Sequence, residues 1–492
     1  DVELLREDKK MLKGFTRKFK PLEILSKEEV ETIHRGTLDV LETTGVRIEH
    51  NRALELYADH GCKVDFDKKR VRIPGYLVED CLRKCPSSFT LRARDPKNDL
   101  RIGGNNLYFS QSVGMSYVDL DTWETRPATL KEHGEAIRVV DALDTVYRFL
   151  GYEFYMDMEG IPPCMVMLEG LASGIRNSAK TQCMGYALDC DIFAIKMAKA
   201  VGMDLMFEPC LSPPLTIYED CCEAIFRSAE AGFPMSMTSG ASMGASGPAT
   251  IAGSTITNNA EILAGLVLAQ LIRPGIGVSA TDFVFPMDMK SGHPAFGAVG
   301  CSLHNIVFEQ IWRRYGIPTT SASPFASSSK KIDFQLAYEK SLMSLVAALA
   351  GASCIFLHGA AYGELTYHPA LAVLEDDVAG WIGRFIEGVE VTDETLAINL
   401  IEQVGPIPGN FLTTEHTRKW WKKEQFIPKV ADREPYPEWI KKGKKDALAL
   451  ARERVEEILA THKPKPLTPE QDKVIGEILE EARSFYRQKG LM

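Results

Sequence analysis

Apolar and polar positions follow two different patterns in the first part of the chain. Over residues 24–61 apolar side chains recur at helical spacing and the pattern is interrupted at Gly45, which predicts helix. Over residues 88–120 apolar and polar residues alternate singly, which predicts strands joined by turns. With a short strand at 70–74 and a helix after it, these patterns predict a mixed α/β region over residues 1–140.

A different pattern begins near residue 141. Apolar runs of strand length alternate with helical segments that end at Gly or Pro-Gly, a common stop signal. Seven runs are clear, and we expect an eighth strand at 370–376 or 409–415. The seven runs cover residues 146–155, 181–188, 204–210, 233–239, 275–283, 317–323 and 352–359.

Repeated βα units of this number predict a (β/α)8 TIM barrel over residues 141–417. An open, doubly wound sheet is the alternative, but no GxGxxG turn follows the first strands, which favours the barrel. Residues 418–492 are charged, helical in pattern and interrupted by proline. They predict a helical C-terminal extension that packs on the outside of the barrel.

Composition excludes several classes of protein. The net charge of −10 disfavours nucleic acid as a partner. No run of about 18 apolar residues is present, and the charged N-terminus lacks an apolar signal core, so we expect a cytoplasmic protein without a membrane partner. Eleven scattered cysteines without a CxxC pair indicate reduced thiols rather than disulfides or structural zinc.

The segments after the predicted strands are where a barrel carries its chemistry. They are rich in Gly, Ser, Ala and Pro with interspersed aromatic residues, and they contain no HExxH motif or histidine cluster, so we expect no metal. Small residues and rings predict a wide opening above an apolar, cation-binding pocket. The few charged residues are Asp157, Asp189, Glu208, Asp282 and His358.

Three blocks of this sequence resemble a known family. "TITNNAEILAGLVLAQLIRPG" (255–275), "YGIPTTSASPFASSSKK" (315–331) and "EKSLMSLVAALAGASCIFLHG" (339–359) are similar, in order and spacing, to the trimethylamine methyltransferase family. The resemblance covers nearly the whole chain. It implies a TIM barrel that moves a methyl group from an N-methylated amine to the Co(I) of a separate corrinoid protein, with no corrinoid bound directly.

At one position this sequence departs from the pattern of the family. The archaeal trimethylamine enzymes of this family carry pyrrolysine on the loop after the sixth of the predicted strands, and here that position falls at or beside Phe325. The departure points to the branch without pyrrolysine, whose members demethylate quaternary amines such as glycine betaine, proline betaine, carnitine and γ-butyrobetaine.

Chemistry supports a quaternary amine. Its methyl group can pass to a strong nucleophile while the nitrogen leaves as a neutral tertiary amine, so no proton and no covalent activation are needed. Positive charge disappears during the transfer, and a cage of rings binds the cation without a strong counter-ion. The candidate rings are Phe325, Tyr155, Tyr186, Phe283 and Tyr362.

A betaine carboxylate would need a hydrogen-bond donor. His358, Gln111, Lys330 or Lys331, and the backbone N–H groups of the glycine-rich segment 239–247 are the candidates. Each could equally serve a structural role.

Glu261 is a weak candidate for a catalytic role. It matches a glutamate in the family's "NAE" block, and the resemblance therefore implies a place near the site. Stabilisation by the dipole of a helix N-terminus explains a glutamate there equally well.

Other functions remain open at this stage. A Schiff-base lyase could use Lys330 or Lys331, a non-catalytic protein could bind a quaternary amine, and trimethylamine could be the methyl donor. The resemblance and the apolar helices favour a homo-oligomer.

Overall fold

Eight parallel strands pair side by side and close into a barrel in the computed structural model, which describes residues 14–492. Neighbouring strands pair in chain order, Phe356 of the last strand pairs with Ser110 of the first, and an isolated bridge joins Arg148 to Thr181. The predicted (β/α)8 fold is confirmed. The strands are β1 Asn106–Gln111, β2 Val146–Arg148, β3 Gln182–Met184, β4 Leu205–Phe207, β5 Met235–Ser239, β6 Val278–Asp282, β7 Thr319–Ser321 and β8 Cys354–His358.

The predicted position of the eighth strand is wrong. Residues 370–376 lie in a helix and 409–415 form no strand, whereas the missing strand is β1, inside the predicted N-terminal region. β1 pairs with β8, almost 250 residues further along the chain, so no local pattern reveals the pairing. The barrel therefore begins before the predicted boundary at 141, and the division into three domains stays a prediction.

One helix follows each barrel strand and covers the outside of the barrel. Several end where a glycine adopts positive φ, as Gly202, Gly232 and Gly316 do at 74°, 82° and 71°. The helices are α1 Leu130–Ala142, α2 Val166–Asn177, α3 Cys190–Val201, α4 Glu219–Ala231, α5 Ile251–Ile272, α6 Val299–Tyr315, α7 Phe334–Ala350 and α8 Pro369–Ile386.

Helix α5 is the most apolar of these elements. By length and composition it could cross a membrane, but 78% of its most apolar 18-residue window is buried inside the protein. It packs against the N-terminal helices and the neighbouring barrel helices, which is the position of a core helix.

The N-terminal segment forms a layer beside the barrel and closes its lower end. Ser26 caps the first helix through a reciprocal pair with Glu29. The last hairpin before β1 packs its apolar residues against Tyr108 and Tyr147 inside the barrel. The elements are helices Lys27–Asp39, Asn51–Asp59 and Gly75–Lys84, and strands Phe15–Thr16, Val46–Ile48, Lys63–Asp65, Arg70–Arg72, Ser88–Leu91 and Leu100–Gly103.

Helices dominate the C-terminal part of the chain. Ala447–Thr461 packs against α8 and α1, and Pro469–Gln488 packs against α3 and α2, both on the outside of the barrel. Between α8 and this pair, helices Asp393–Leu396 and Ile398–Val404 contain no buried residue. Two further helices cover Glu415–Glu424 and Tyr436–Lys441.

Candidate active site

A cavity of about 340 Å³ opens at the carboxyl ends of the barrel strands. This is the end at which barrel enzymes bind and convert their substrates. Its wall draws on seven of the eight strands or on the loops that follow them. The lining residues are Val113, Met115, Leu150, Tyr152, Met156, Glu208, Cys210, Thr238, Thr281, Phe283, Ala322, Phe325, Phe356 and Glu364.

Four aromatic rings form much of this wall. Phe283 follows β6 directly and stacks on Phe325, with ring centroids 5.5 Å apart and an interplanar angle of 24°. Phe356 reaches the cavity from β8, and Tyr152 from the loop after β2. The rings present π faces and edges to a space of ligand size, an arrangement that attracts cations.

The loop after β7 explains how Phe325 reaches the cavity. It turns sharply through Ser323–Phe325, and the Phe325 N–H donates to the Ala322 carbonyl at 3.0 Å. Ala322, in the cavity wall, and Ala326, in the core, belong to the same apolar cluster as Phe325. Their side chains are small, so the Phe325 ring has room beside them. The bare composition of the segment therefore makes room for a single large side chain.

Glu208 forms the charged floor of the cavity. Its carboxylate accepts from the Arg148 guanidinium at 3.0 Å and from the Gly151 N–H at 3.2 Å. Burial raises the pKa of Glu208 to about 7, although the charge of Arg148 acts in the opposite direction. Glu208 can thus change its ionisation state near neutral pH.

Glu364 supplies a second carboxylate, at the mouth. It lies on the loop after β8, and its carboxylate makes no hydrogen bond or ion pair within residues 14–492. Loss of hydration raises the pKa of Glu364, although the residue stays exposed at the rim.

Gln111 and Tyr186 lie behind the cavity wall rather than in it. The Gln111 side-chain carbonyl accepts from the backbone N–H of Leu150, and the Tyr186 hydroxyl donates to the Cys210 carbonyl at 2.7 Å. Both partners line the cavity. These two predicted residues hold the wall in place instead of presenting their own side chains.

Tyr155 lies away from the cavity. It is fully buried in an apolar cluster, where its ring centroid is 5.7 Å from that of Tyr367 and 6.2 Å from that of Tyr117. The sequence predicts a strand over 146–155, but β2 ends at Arg148 and the chain then turns away. Tyr155 is therefore placed in the core, not with the rings of the site.

His358 also points away from the cavity. The pairing of β8 with β1 shifts register between Phe356 and His358, so the normal alternation of faces breaks and the imidazole turns outward. Its ring nitrogens lie 3.0 Å from the Thr145 hydroxyl and 3.3 Å from the Ser110 carbonyl. Burial lowers the pKa of His358 to about 4, so the ring is neutral.

The predicted residues Tyr362, Lys330 and Lys331 lie outside the cavity wall. Tyr362 is 40% exposed, and the Lys330 ammonium sits 5.0 Å from its ring centroid while donating to the Ser328 carbonyl. The Lys331 ammonium lies 5.8 Å from the Trp123 ring centroid. Both lysines are exposed, so neither is the desolvated amine that Schiff-base chemistry requires.

Glu261 has a structural position. It is fully buried on α5, where it accepts from the Leu215 N–H at 2.7 Å and from the Ser239 hydroxyl. Burial raises the pKa of Glu261 to about 7. The side chain joins the loop after β4 to the end of β5, one residue beyond Thr238 of the cavity wall, and does not line the cavity itself.

The glycine-rich segment 239–247 uses its own backbone donors. The N–H groups of Ala245 and Gly247 both donate to the Ser242 carbonyl, and that of Gly244 donates to Gly247. The Ser242 N–H donates to the Ser246 hydroxyl. Four backbone N–H groups of the segment are therefore engaged within the turn itself.

Sequence reasoning missed several residues of the wall. Tyr152 and Glu364 lie at the ends of predicted strands or in the segments after them but are not among the candidates, Phe356 lies inside the predicted strand 352–359, and Glu208 is predicted only as a charged residue at a strand end. A Cβ on Gly185 would lie 2.7 Å from the Tyr152 ring, so the absence of a side chain in "MGY" allows that ring its position. This glycine was a usable signal.

Comparison with known proteins gives one family. The sequence profile of the family described as trimethylamine methyltransferase matches residues 3–483. A trimethylamine methyltransferase from Desulfitobacterium hafniense strain DCB-2 is 33% identical over 472 residues, which are 94% of each chain. A glycine betaine methyltransferase from Desulfitobacterium hafniense strain Y51 is 33% identical over 463 residues, 91% of this chain and 95% of that protein. The monomethylamine methyltransferase of Methanosarcina barkeri is a structural neighbour with a TM-score of 0.48 and 12% identity, covering 93% of this chain and 92% of that one.

Proposed function

Because the chain belongs to the trimethylamine methyltransferase family, we propose that it demethylates a quaternary amine and passes the methyl group to the Co(I) of a cognate corrinoid protein. Glycine betaine and the related betaines proline betaine, carnitine and γ-butyrobetaine are the donors that the family resemblance supplies. The single observation that carries the proposal is the ring-lined, acidic cavity at the carboxyl ends of the strands.

The methyl transfer needs no proton donor, proton acceptor or nucleophile from this chain. An electron pair from Co(I) forms the new bond to the methyl carbon, and the pair of the broken C–N bond stays on nitrogen, which leaves as a neutral tertiary amine. No proton is transferred. The protein has to bind the ammonium group, orient one methyl group towards the mouth and exclude competing nucleophiles.

The rings suit this task because they bind the cation moderately. A cation over an aromatic face gains about 0.5–2 kcal/mol, and Phe283, Phe325, Phe356 and Tyr152 surround the space on several sides. A stronger counter-ion would stabilise the charged substrate more than the transition state, in which the charge is already declining. The pairing of Glu208 with Arg148 weakens the attraction of its carboxylate for the substrate cation.

Phe325 supports a quaternary rather than a tertiary amine. Relatives named for trimethylamine and for glycine betaine are equally similar to this chain, so overall identity does not choose between them. The resemblance places pyrrolysine of the trimethylamine enzymes at or beside Phe325, and here that side chain is a ring in the cavity wall. A quaternary amine needs no activation by such a residue.

A Schiff-base lyase is disfavoured. Lys330 and Lys331 are exposed outside the cavity, and no lysine is among the residues that line it within the described part of the chain.

Two features of the proposal concern the setting of the enzyme. All eleven cysteines are unpaired thiols, which supports a reducing compartment such as the cytoplasm.

Self-association of the chain is supported by two exposed apolar residues on the segment after α8. These are Ile407 and Leu412, which are 94% and 83% exposed.

The experiment that tests the function follows cobalt spectroscopically. The protein is mixed with its reduced corrinoid protein and offered glycine betaine, proline betaine, carnitine, γ-butyrobetaine, choline, tetramethylammonium, trimethylamine and dimethylglycine one at a time. We expect loss of the Co(I) band with at least one quaternary amine and none with trimethylamine. Methyl transfer from trimethylamine alone, or from no donor with a competent corrinoid protein, would refute the proposal.

A further inference from the structure

The cavity wall carries negative charge and no lining residue that offsets it. Within the described residues 14–492, the wall contains the carboxyl groups of Glu208 and Glu364 and no lysine, arginine or histidine. Such a wall attracts an ammonium group and repels a carboxylate. A betaine contains both groups, whereas other quaternary amines contain only the first.

The nearest arginine is already engaged. Arg148 is fully buried beneath the floor, where its guanidinium donates to Glu208 at 3.0 Å and lies 5.2 Å from the Phe356 ring centroid. Both of these partners line the cavity and separate Arg148 from it. A substrate carboxylate could reach this cation only by displacing Glu208, whose own charge would then be buried without a partner.

The two charges at the floor of the cavity offset each other, whereas the charge of Glu364 at the mouth has no opposite charge beside it. Glu208 and Arg148 form a pair with no net charge. The Glu364 carboxylate has no hydrogen bond or ion pair among residues 14–492, so it supplies the net negative charge of the site when it is ionised. The lysines near this loop are already engaged: the Lys330 ammonium lies 5.0 Å from the Tyr362 ring centroid and donates to the Ser328 carbonyl, and the buried Lys340 pairs with Glu375 and donates to the Ala360 carbonyl.

The neutral donors offer little to a carboxylate. His358 points outward, and four backbone N–H groups of the turn at 239–247 bond within that turn. The Thr281 hydroxyl is 2.7 Å from the Ser236 hydroxyl, which leaves Thr238 and Tyr152 as the hydroxyls of the wall without a side-chain hydrogen bond in the described chain. Two neutral hydroxyls match a hydroxyl or an ether oxygen better than they match a full negative charge.

We propose that this site prefers quaternary amines whose remaining substituent is uncharged, such as choline or tetramethylammonium, over betaines, and that Glu364 sets the preference. The inference rests on the proposed function, because it concerns the same cavity and the same methyl donor. A betaine brings the same ammonium group to the rings, but its carboxylate finds no cation in the wall. The preference narrows the substrate class within the quaternary amines.

Equilibrium binding tests the preference without any corrinoid. Isothermal titration calorimetry with tetramethylammonium, choline and glycine betaine is expected to show both cations binding about tenfold or more tightly than the betaine. Equal or tighter binding of glycine betaine would overturn the inference, as would a failure of all three compounds to bind.

Substitution at the mouth tests the role of Glu364. Glu364→Gln removes the charge with little change of shape, and Glu364→Lys supplies the missing cation. We expect the ratio of the choline and glycine betaine affinities to fall about tenfold in the first variant and to reverse in the second. Glu402→Gln, at an exposed glutamate on the helix Ile398–Val404, is the matched control and should keep the wild-type ratio. An unchanged ratio in both Glu364 variants would overturn the assignment.

The two proposals fail in different ways. Methyl transfer from glycine betaine in preference to choline would overturn the selectivity and leave the methyltransferase function intact. Tight binding of both cations without methyl transfer from any amine to the corrinoid protein would support the selectivity of the cavity and refute the function.

Discussion

The ring of Phe283 stacks on the ring of Phe325, with 5.5 Å between their centroids, and this pair joins the ends of β6 and β7 in the wall of the cavity. The two residues are more than forty positions apart in the chain, and each follows a short parallel strand. The barrel thus brings together rings that no local sequence pattern connects. The account of the site depends on this wall binding an ammonium group.

Loss of a ring from the pair should weaken substrate binding. In Phe325→Leu the packing volume is largely kept while the cation–π contact disappears, so we expect KM for the preferred quaternary amine to rise about 2- to 30-fold, with a smaller effect on kcat. Steady-state methyl transfer measures both constants. Tyr155→Phe is the control, because Tyr155 lies in the core and its hydroxyl has no hydrogen-bond partner, and its KM should not change. Equal effects of the two substitutions would place the site elsewhere.

The ionisation of Glu208 should appear in the pH dependence of binding. Burial raises the pKa of Glu208 to about 7, so the group is protonated and neutral below that pH and carries its charge above it. The affinity for tetramethylammonium should therefore rise from about pH 6 to about pH 8. The other titratable groups around it are Arg148, Tyr152, Cys183, Cys210, Cys354 and the exposed Glu364.

Glu208→Gln should remove most of that rise. Calorimetric titrations of the wild type and the variant over the same pH range measure it, and the residual slope reports Glu364. An affinity that falls as the pH increases, or an identical slope in both proteins, would contradict the role of Glu208.

The barrel was predictable because its strands and helices carry strong local signals. Seven apolar runs separated by helices with glycine stops define the repeat. The observed strands are shorter than these runs, because only part of each run is hydrogen bonded to the neighbouring strands of the barrel. β1 is predicted as a strand but not as part of the barrel, because Asn106–Gln111 has the same pattern as the strands before it and its pairing with β8 joins distant parts of the chain.

The site was predictable only in part. Phe325 stands out as one ring in a segment of small residues, and Phe283 ends a predicted strand, so the sequence indicates both, and both line the cavity. The outward turn of His358 comes from a register shift between two strands, and the exclusion of Tyr155 comes from the early end of β2. Neither feature changes the spacing of apolar and polar residues, so the sequence pattern does not reveal it. Glu208 acquires its character from Arg148 and from burial, which only the folded barrel creates.

Glu261 should act on stability rather than on catalysis. Glu261→Gln replaces one of two accepting oxygens with a donor, which leaves either the Leu215 N–H or the Ser239 hydroxyl without its acceptor. We expect the free energy of unfolding in urea to fall by about 1–3 kcal/mol. KM for the amine should stay near the wild-type value, because Glu261 does not line the cavity. A large loss of kcat with unchanged stability would instead give this residue a part in the reaction.

The exposed lysines should be dispensable. Lys330→Ala and Lys331→Ala remove solvated ammonium groups outside the cavity, so methyl-transfer rates should stay within about twofold of the wild type. Borohydride added with a carbonyl compound should trap no adduct on either lysine, as mass spectrometry of the digested protein would show. A trapped adduct that depends on Lys330 or Lys331 would support the lyase instead.

The most direct test of the central claim is a stoichiometric methyl transfer with an isotopically labelled quaternary amine, in the wild type and in Met115→Trp. Met115 is 40% exposed and lines the mouth, so the larger ring should block the cavity without disturbing the core. The account predicts one labelled methyl group on cobalt for each tertiary amine released by the wild type, and strong loss of both products in the variant. Unchanged transfer in Met115→Trp, or release of the tertiary amine without methylation of cobalt, would contradict it.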